Sequence, residues 1–350
     1  MQPLLITRDE RFTSHLENVP HLENPRRITA IHQALSDPSL KGRWLEIKPR
    51  EARVDELAWI HTPEHIDRVA KTAGKRLTSF DLDTQATEKS YAVARLAAGG
   101  VFNLLDAIWN GQGKRGLACI RPPGHHAEPD KAMGFCLFNN IALGARYLKE
   151  CRSVKRVMIV DIDVHHGNGT QAAFYDADDV LFVSMHQFPS YPGTGNFGEV
   201  GKGKGEGFTV NLPLRAGLGD EDLARSIYFL VNPLAQAYEP EIILVSCGFD
   251  LYMRDPLGGM RVTPEGYGLI TFLLMGIAEK VCEGRIVFIM EGGYSLKGIR
   301  ECGLRVIQEL CGISNVRGRS MDRVVDSSPK KLPALSKVKE VHGKYWKVLR

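Results

Sequence analysis

Residues 157–170 read VMIVDIDVHHGNGT, and this stretch gives the clearest indication of the fold. Its first four residues are apolar and rich in Val and Ile, which is typical of a strand buried on both faces of a parallel sheet. Acidic and histidine residues follow at once, and ligands bind beyond the carboxyl ends of parallel strands. The stretch therefore predicts a buried strand that ends at a functional site.

Four more apolar runs lie along the chain, and each is followed by polar or glycine-rich residues. They cover residues 117–120, 180–185, 242–246 and 286–290. Helix-like stretches lie between the runs, at residues 90–108, 139–150, 220–238 and 264–282. Strands that alternate with helices predict an α/β fold with a central, mainly parallel sheet and helices on both faces.

The composition excludes several classes of protein. With 43% hydrophobic and 25% charged residues, the chain is expected to fold rather than to remain disordered. No apolar run approaches 18 residues and the opening MQPLLITRDERF lacks the pattern of a secretory signal, so neither a membrane span nor export is expected. Seven scattered cysteines without a CxxC pair predict reduced thiols in a cytoplasmic protein.

The net charge of +4 is unevenly distributed. Residues 314–350 hold 10 Lys or Arg and 3 Asp or Glu, which leaves 35 basic and 38 acidic residues in 1–313. No basic stripe marks the body, so direct nucleic-acid binding is not expected. We predict one folded domain over 1–313 and a basic segment over 314–350, irregular as far as residue 333. The segment is expected to finish in a helix docked on the body, because apolar side chains recur at helical spacing: Leu335, Val338, Val341, Tyr345 and Leu349.

The first polar side chains after the strand predicted at residues 157–160 are suitable ligands for a metal ion. Asp161, Asp163 and His165 are spaced two apart, so in an extended chain they share one side. Asp250, in GFD after another apolar run, adds a further carboxylate. Alone, each residue is more simply a hydrogen-bonding group at a strand end. Together, two Asp and one His predict a Zn²⁺ site with an open position for water, as in catalytic centres.

Three further residues suit proton transfer beside such an ion. His125 and His126 are adjacent in a loop rich in Gly and Pro, and an imidazole titrates near neutral pH. Tyr294 follows two glycines in EGGY, which permits a tight turn that aims the phenol inward. Without a metal nearby, the same residues would be exposed loop imidazoles and a turn cap.

The motifs RPPGHHA, GFC, VDIDVHHGNGTQ, SMHQ with PSYPGTGNFGEVG, GFD with DPL, and EGGY resemble those of the histone deacetylase family of zinc amidohydrolases. The family includes bacterial acetylpolyamine and acetoin-utilisation relatives, and the resemblance runs from about residue 7 to about residue 313. EGGY and HHGNGT are similar to the class II branch, and a prokaryotic source is expected. The resemblance implies the single-domain arginase–deacetylase fold.

The resemblance also implies roles for the residues of the site. Asp163, His165 and Asp250 match the ligands of one catalytic Zn²⁺, in whose place Fe²⁺ is left open. His126 matches the general base that later acts as general acid, and His125 matches its electrostatic companion. Tyr294 matches the tyrosine that polarises the acyl carbonyl.

Further positions are implied by the same resemblance. A structural K⁺ would be bound by Asp161, Ser184, Met185 and the backbone oxygens of Asp163 and His165. A second monovalent ion would be bound by the backbone carbonyls of Phe174 and Val180. The acyl-lysine tunnel would be lined by Gly134, Phe135, Tyr191, Leu257 and Gly292. Arg27 in HLENPRRI would lie near an acetate exit, and Asp83, preferred over Asp81, at the rim. Asn168 stands where class I enzymes carry an aspartate, so a lower pKa is expected for His126.

The expected function is removal of acetyl or other acyl groups from the ε-amine of lysine in proteins or peptides by metal-activated water. The leading alternative is deacetylation of acetylated polyamines or another small N-acyl amine. Leu257 weighs against a polyamine, because a leucine cannot attract a second ammonium group. An arginase-like two-metal ureohydrolase and a non-catalytic acyl-lysine binding module are weaker alternatives. No membrane partner is expected, and a homo-oligomer is left open.

Overall fold

An eight-stranded sheet forms the centre of the protein. The computed structural model describes residues 2–314, 316, 324 and 332–350. Within them the strands are β1 (Leu4–Thr7), β2 (Trp44–Glu46), β3 (Thr78–Ser79), β4 (Gln85–Ala86), β5 (Arg115–Ala118), β6 (Val157–Asp161), β7 (Val180–Gln187), β8 (Thr209–Leu214), β9 (Ile242–Cys247) and β10 (Ile286–Met290). β3 and β4 form a separate antiparallel pair. The large sheet has the order β2-β1-β5-β10-β9-β6-β7-β8, and all its neighbouring strands are parallel.

Helices cover the sheet. They are α1 (Arg26–Leu35), α2 (Val54–Leu57), α3 (Pro63–Ala70), α4 (Ser90–Trp109), α5 (Asn140–Arg152), α6 (Asn168–Phe174), α7 (Asp220–Ser226), α8 (Asn232–Tyr238), α9 (Pro264–Val281), α10 (Leu296–Leu310) and α11 (Pro333–His342). Short 3₁₀ turns lie at Glu10–Ser14, Pro38–Leu40, Gly203–Gly205 and Lys347–Leu349. Local sequence sets the helix starts. Before α9, for example, the side chain of Thr263 accepts the Gly266 N–H, and Pro264 takes the first helical position.

Two apolar cores lie on opposite faces of the sheet. Successive side chains of a strand point to opposite faces, so Met158 and Val160 of β6 enter one core while Val157 and Ile159 enter the other. The first core packs against α1 and α7–α10, and the second against α4 and α5. Each fully buried aliphatic side chain contributes about 1.5–3 kcal/mol by leaving water. The predicted α/β architecture is confirmed.

The five predicted strands and four predicted helical stretches are found, with small shifts at their ends. The helix expected over 220–238 is interrupted, because the π-helical turn Ile227–Val231 joins α7 to α8. The sequence pattern missed β1, β2 and β8, together with α1 and α10. β1 and β2 are only four and three residues long, too short for a periodic signal.

Among the described residues, one helix qualifies by length and composition as a candidate membrane span, which the sequence pattern did not predict. α4 has a mean hydropathy of 1.3 over its most apolar window, and 72% of that window is buried inside the protein. Side chains such as Val101, Leu104 and Leu105 are 0% exposed and belong to the core. The hydropathy of α4 thus reflects its position between the sheet and α5.

The C-terminal helix is shorter than its sequence pattern predicted. α11 ends at His342, and only the 3₁₀ turn Lys347–Leu349 follows. Leu335, Val338 and Leu349 are buried as expected, whereas Val341 and Tyr345 are only half-buried. The indole Nε1 of Trp346 donates to Gly207 O at 2.8 Å, which fixes the chain end to the loop before β8. The predicted irregular segment over 314–333 lies mostly outside the described residues, and the domain boundary at 313 stays a prediction.

Candidate active site

Four adjacent strands deliver the polar side chains to one place. β5, β10, β9 and β6 are neighbours and parallel, so their carboxyl ends meet at one edge of the sheet. The histidine pair follows β5, Gly292 follows β10, Asp250 follows β9 and Asp163 follows β6. Segments more than a hundred residues apart along the chain therefore form one site.

Asp163, His165 and Asp250 form a buried cluster with the geometry of metal ligands. One donor atom from each lies within 4.8 Å of the others. The Nδ1 atom of His165 is 3.1 Å from Asp163 Oδ1 and 3.5 Å from Asp250 Oδ2. Asp161 does not share this face, because β6 ends at this residue and its carboxylate turns toward His125. The idea of one extended face from Asp161 to His165 was therefore wrong.

The cluster fits a divalent cation. Asp250 Oδ1 accepts the Val164 N–H at 2.9 Å, while its buried Oδ2 has no hydrogen-bond partner among the described residues. Asp163 Oδ2 accepts the Gly292 N–H at 2.8 Å. A buried carboxylate oxygen without a partner is costly unless a cation or donor meets it. Both carboxylates are thus oriented by the backbone, and Asp250 leaves an oxygen for an ion.

The electrostatics of the cluster also call for positive charge. Burial opposes a charge on His165, but its hydrogen bond to Asp163 and the nearby Asp250 carboxylate, 3.5 Å away, outweigh it and raise its pKa to about 10. Burial and then the neighbouring Asp163 raise the pKa of Asp250 to about 7. Two carboxylates at this separation therefore require a positive partner, a role that a metal ion fills.

The two adjacent histidines have opposite protonation. Burial disfavours charge on His125, but the carboxylates of Asp163 and Asp161 outweigh it and raise its pKa to about 10. Its Nδ1 lies 3.0 Å from Asp161 Oδ2. Burial, and then the charges on His125 and His165, hold the pKa of His126 well below its ordinary value. His126 is therefore neutral at neutral pH and able to accept a proton.

The surroundings of His126 also fix its tautomer. Asn168 Nδ2 donates to Glu128 Oε1 at 2.7 Å, so the amide oxygen is the atom that faces His126 Nδ1, at 2.8 Å. That oxygen only accepts, so Nδ1 carries the proton and Nε2 keeps its lone pair. His126 lines the cavity described below. Sequence reasoning found Asn168 but missed Glu128, although Glu128 follows HHA directly.

Glu291 was also missed, although the motif EGGY contains it. Its Oε2 accepts the N–H groups of Gly124 at 2.7 Å and His125 at 3.1 Å, and Ser246 Oγ donates to its Oε1 at 3.3 Å. The carboxylate thus holds the loop that carries both histidines. Burial raises the pKa of the Glu291 carboxyl group to about 7, and each of these hydrogen bonds contributes about 0.5–1.5 kcal/mol net.

Tyr294 faces the site from the end of β10. Asp255 Oδ2 accepts its backbone N–H at 2.7 Å and so anchors the turn. Burial raises the pKa of the phenol well above its ordinary value, so the hydroxyl remains a donor. The guanidinium of Arg27 lies 5.3 Å from the centre of the Tyr294 ring. Asp255 belongs to the DPL motif that carries part of the family resemblance, but no role was predicted for it.

Arg27 lies beneath the site and is fully buried. Its Nε donates to Gly293 O at 2.6 Å, and its Nη2 donates to Glu291 O. Glu23 pairs with Arg27 at 2.8 Å and with Arg121 at 2.6 Å. Arg27 is not among the residues that line the cavity, so its place beside an exit path stays a prediction.

A cavity of about 600 Å³ leads to His126 and His165 from the surface. Four of the five predicted tunnel residues line it, namely Gly134, Phe135, Tyr191 and Leu257, and the predicted catalytic Tyr294 lines it as well. The rings of Phe135 and Tyr294 meet edge to face at 5.6 Å, and the rings of Tyr191 and His126 at 5.0 Å. Gly134 has φ +56°, and a Cβ there would lie 2.5 Å from His126 Cδ2, so only glycine fits.

Gly292 does not line the cavity. It packs behind the metal cluster, where a Cβ would lie 2.6 Å from Asp163 Oδ2. Its backbone N–H supports the Asp163 carboxylate, and its predicted place in the tunnel stays a prediction.

Asp83 lies at the mouth of the cavity, as predicted for a rim residue. Burial, and then the neighbouring Asp81, raise the pKa of its carboxyl group. Asp81 instead closes the turn, since its Oδ1 accepts the N–H groups of Asp83 and Thr84 at 3.1 and 2.6 Å. His21 Nε2 donates to Asp83 O at 3.0 Å.

The groups of the expected monovalent sites are partly brought together. Asp161 of β6 and Ser184 of β7 are direct neighbours in the sheet, and Met185 follows. The Ser184 hydroxyl is 2.9 Å from His186 Nδ1. Phe174 ends α6 and Val180 begins β7, and both are buried. Both potassium sites stay predictions.

Comparison with known proteins agrees with this geometry. A family model described as "Histone deacetylase domain" matches residues 21–310. Histone deacetylase 15 of Arabidopsis thaliana is 42% identical over 313 residues, which cover 87% of this chain and 56% of the relative. A "Probable deacetylase" of Archaeoglobus fulgidus is 35% identical, with 97% and 98% of the two chains covered. The chain spans only about half the length of several curated relatives.

A solved structure extends the agreement to the fold. "Crystal Structure of HDA15 HD domain" superposes with a TM-score of 0.88 at 38% identity and covers 99% of this chain and 96% of that one. The arginase–deacetylase fold expected from the motifs is therefore confirmed. With the family model covering most of the chain and the strand-end cluster in place, this chain belongs to the histone deacetylase family.

Proposed function

We propose that the chain is a zinc-dependent amidohydrolase that removes acetyl or other acyl groups from the ε-amine of lysine in proteins or peptides. The observation that carries the proposal is the juxtaposition, at the floor of an apolar cavity, of three metal-ligating side chains with a neutral imidazole. The cavity walls are aromatic, which suits a long aliphatic stem.

Asp163, His165 and Asp250 would hold the ion, and one nitrogen with two carboxylates suits Zn²⁺, with Fe²⁺ as the alternative. Bound there, the ion would lower the pKa of water and polarise the acyl carbonyl. Asp161 and Ser184 support a nearby K⁺ as part of the same proposal, since they are sheet neighbours.

His126 would move the protons. Its Nε2 lone pair accepts a proton from the attacking water, because Asn168 holds the other ring proton on Nδ1. The same atom then returns the proton to the leaving amine. His125, charged through Asp161, disfavours a second lasting positive charge on His126 and so keeps it a weak, reversible base.

Tyr294 would stabilise the reacting carbonyl. Its phenol stays protonated and donates to the developing oxyanion, which is a role worth about 10²–10³ in kcat. Phe135 and Tyr191 flank the approach and exclude water around the lysine stem. The Asp255 carboxylate fixes the turn that aims the phenol.

The proposal is tested with a fluorogenic acetyl-lysine peptide and the zinc-loaded protein. We expect turnover in the wild type, no measurable turnover in His126→Ala, and a loss of about a hundredfold or more in kcat for Tyr294→Phe. Leu45→Ser, an exposed change on edge strand β2, serves as the control. Full activity in His126→Ala would overturn the assignment of the base.

Deacetylation of polyamines or other small N-acyl amines is the alternative. One observation favours it, because Asp83 places a carboxylate at the mouth, where a second ammonium could bind. Leu257 on the opposite wall offers no such charge. A comparison of kcat/KM for an acetyl-lysine peptide, N-acetylputrescine and longer acyl-lysines separates the two substrates.

We also propose a cytoplasmic location. All seven cysteines are free thiols in the structure, six of them buried, which supports a reducing compartment. Fractionation of cells that express the protein tests this, and recovery from an extracellular or organellar fraction would contradict it.

A further inference from the structure

Large apolar side chains are exposed around the mouth of the cavity. The described residues include ten such side chains, and four of these also line the cavity: Leu22, Leu82, Tyr191 and Leu257. The three leucines, which we call the leucine collar, are 49%, 102% and 36% exposed. Single exposed leucines are ordinary, but several that converge on one opening mark an interaction surface.

Leu82 is held in place although its side chain is fully exposed. It lies at the tip of a turn in which the Asp81 carboxylate accepts the N–H groups of Asp83 and Thr84. The Phe80 N–H closes the same turn on Thr84 O at 2.8 Å. The leucine is therefore presented to solvent by a pre-formed turn, which lowers the entropy cost of binding.

The other two leucines are anchored in the same way. Asn24 Nδ2 donates to Leu22 O at 3.0 Å, and the neighbouring His21 is tied to Asp83 O. The Leu257 N–H donates to Asp255 Oδ1 at 3.0 Å. The collar thus consists of three ordered turns from distant parts of the chain.

The charge around the mouth is low. Among the residues that line the cavity, Asp83 is the only one with a formal charge apart from the histidines. A substrate whose acyl-lysine fills the cavity must lay its backbone across the mouth. Because consecutive Cα atoms of a peptide are 3.8 Å apart, the residues next to the acyl-lysine lie close to the mouth. The residues beside the acyl-lysine therefore meet three leucines, one of which stands between Asp81 and Asp83.

We propose that the leucine collar binds apolar side chains that flank the acyl-lysine of an extended peptide segment. This inference rests on the proposed deacylase function and narrows its substrate class. A small acylated amine would leave the collar uncovered. Contact with one leucine of the collar is worth about tenfold in kcat/KM.

The test is a set of acetyl-lysine peptides that differ only in the residues on either side of the lysine. With leucine or phenylalanine flanks, kcat/KM should exceed that of glycine flanks by about tenfold, and lysine or arginine flanks should give no gain. Leu82→Ser should reduce the leucine-to-glycine ratio at least threefold. Leu45→Ser, a leucine 45% exposed on β2 and outside the cavity lining, should leave the ratio unchanged.

The outcomes separate the inference from the function beneath it. Equal kcat/KM for all peptides, a preference for basic flanks, or a ratio unaffected by Leu82→Ser would each overturn the collar and leave the deacylase intact. Self-association that Leu82→Ser abolishes would assign the collar to a contact between copies and also overturn it. No turnover of any acetyl-lysine peptide by the zinc-loaded wild type would refute the function and the inference together.

Discussion

Gly292→Ala tests whether the carboxylate cluster is a metal centre. A Cβ on Gly292 would lie 2.6 Å from Asp163 Oδ2 and closer still to Asp250 Oδ2, where ordinary contact begins near 3.4 Å. Asp163 Oδ2 must then move by about 0.8 Å, and Asp250 Oδ2 by more. Metal–ligand distances tolerate only about 0.2 Å.

The carboxylates have little freedom to move aside. Asp250 Oδ1 is held by the Val164 N–H, and Asp163 Oδ1 accepts the His165 N–H at 2.9 Å. We therefore expect zinc affinity to fall by about a hundredfold or more, at the upper end of the losses seen when a supporting contact is removed. Zinc affinity is measured by competition with a chromophoric chelator, alongside kcat/KM.

A matched substitution separates this effect from a general loss of stability. A Cβ on Gly276, in the exposed part of α9, meets no heavy atom within 4 Å. Gly276→Ala should keep wild-type zinc affinity and gain up to about 1 kcal/mol of stability, because alanine favours the helix. Wild-type zinc affinity and turnover in Gly292→Ala would refute the argument, since those oxygens would then not be directed at an ion.

Further predictions concern pH and metal removal. The double substitution Asn168→Asp with Glu128→Gln keeps the hydrogen-bond chain but places a negative charge beside His126. The pKa of His126 should therefore rise, which should move the acid limb of the kcat/KM profile about one to three pH units higher. Burial lowers the pKa of His15 and His61 to about 3, whereas the unfolded chain protonates them near 6.5. Stability in urea should therefore fall from about pH 6.5 downward, by about 1.4 kcal/mol per pH unit for each histidine. A chelator should lower the Tm and added zinc should restore it, because an ion that binds only the folded state stabilises it.

Much of the fold was predictable because its core strands are continuous apolar runs. β6, β7, β9 and β10 are buried on both faces, so the local sequence carries the signal without tertiary information. β2 is an edge strand of three half-exposed or exposed residues, and its pairing with β1 depends on neighbours that the pattern does not reveal.

The candidate site divides in the same way. Motif residues such as His126 and Asp250 were predictable because each lies in the loop that follows an apolar run. The residues that orient them were not predictable. Glu128, Asp255 and Glu291 act through hydrogen bonds to segments that are distant in the sequence. A carboxylate that receives backbone N–H groups has no spacing rule to mark it.

The sequence by itself determined the α/β class, the histone deacetylase resemblance and the identities of the metal and proton-transfer candidates, because type and order along the chain carry that information. The tertiary structure was needed to show that the Gly292 N–H supports the Asp163 carboxylate, that His126 carries its proton on Nδ1, and that three leucines lie at the mouth. These properties depend on distances between segments brought together by folding. A parallel sheet sets those distances through its strand order, β5-β10-β9-β6, which the linear order of the chain does not contain.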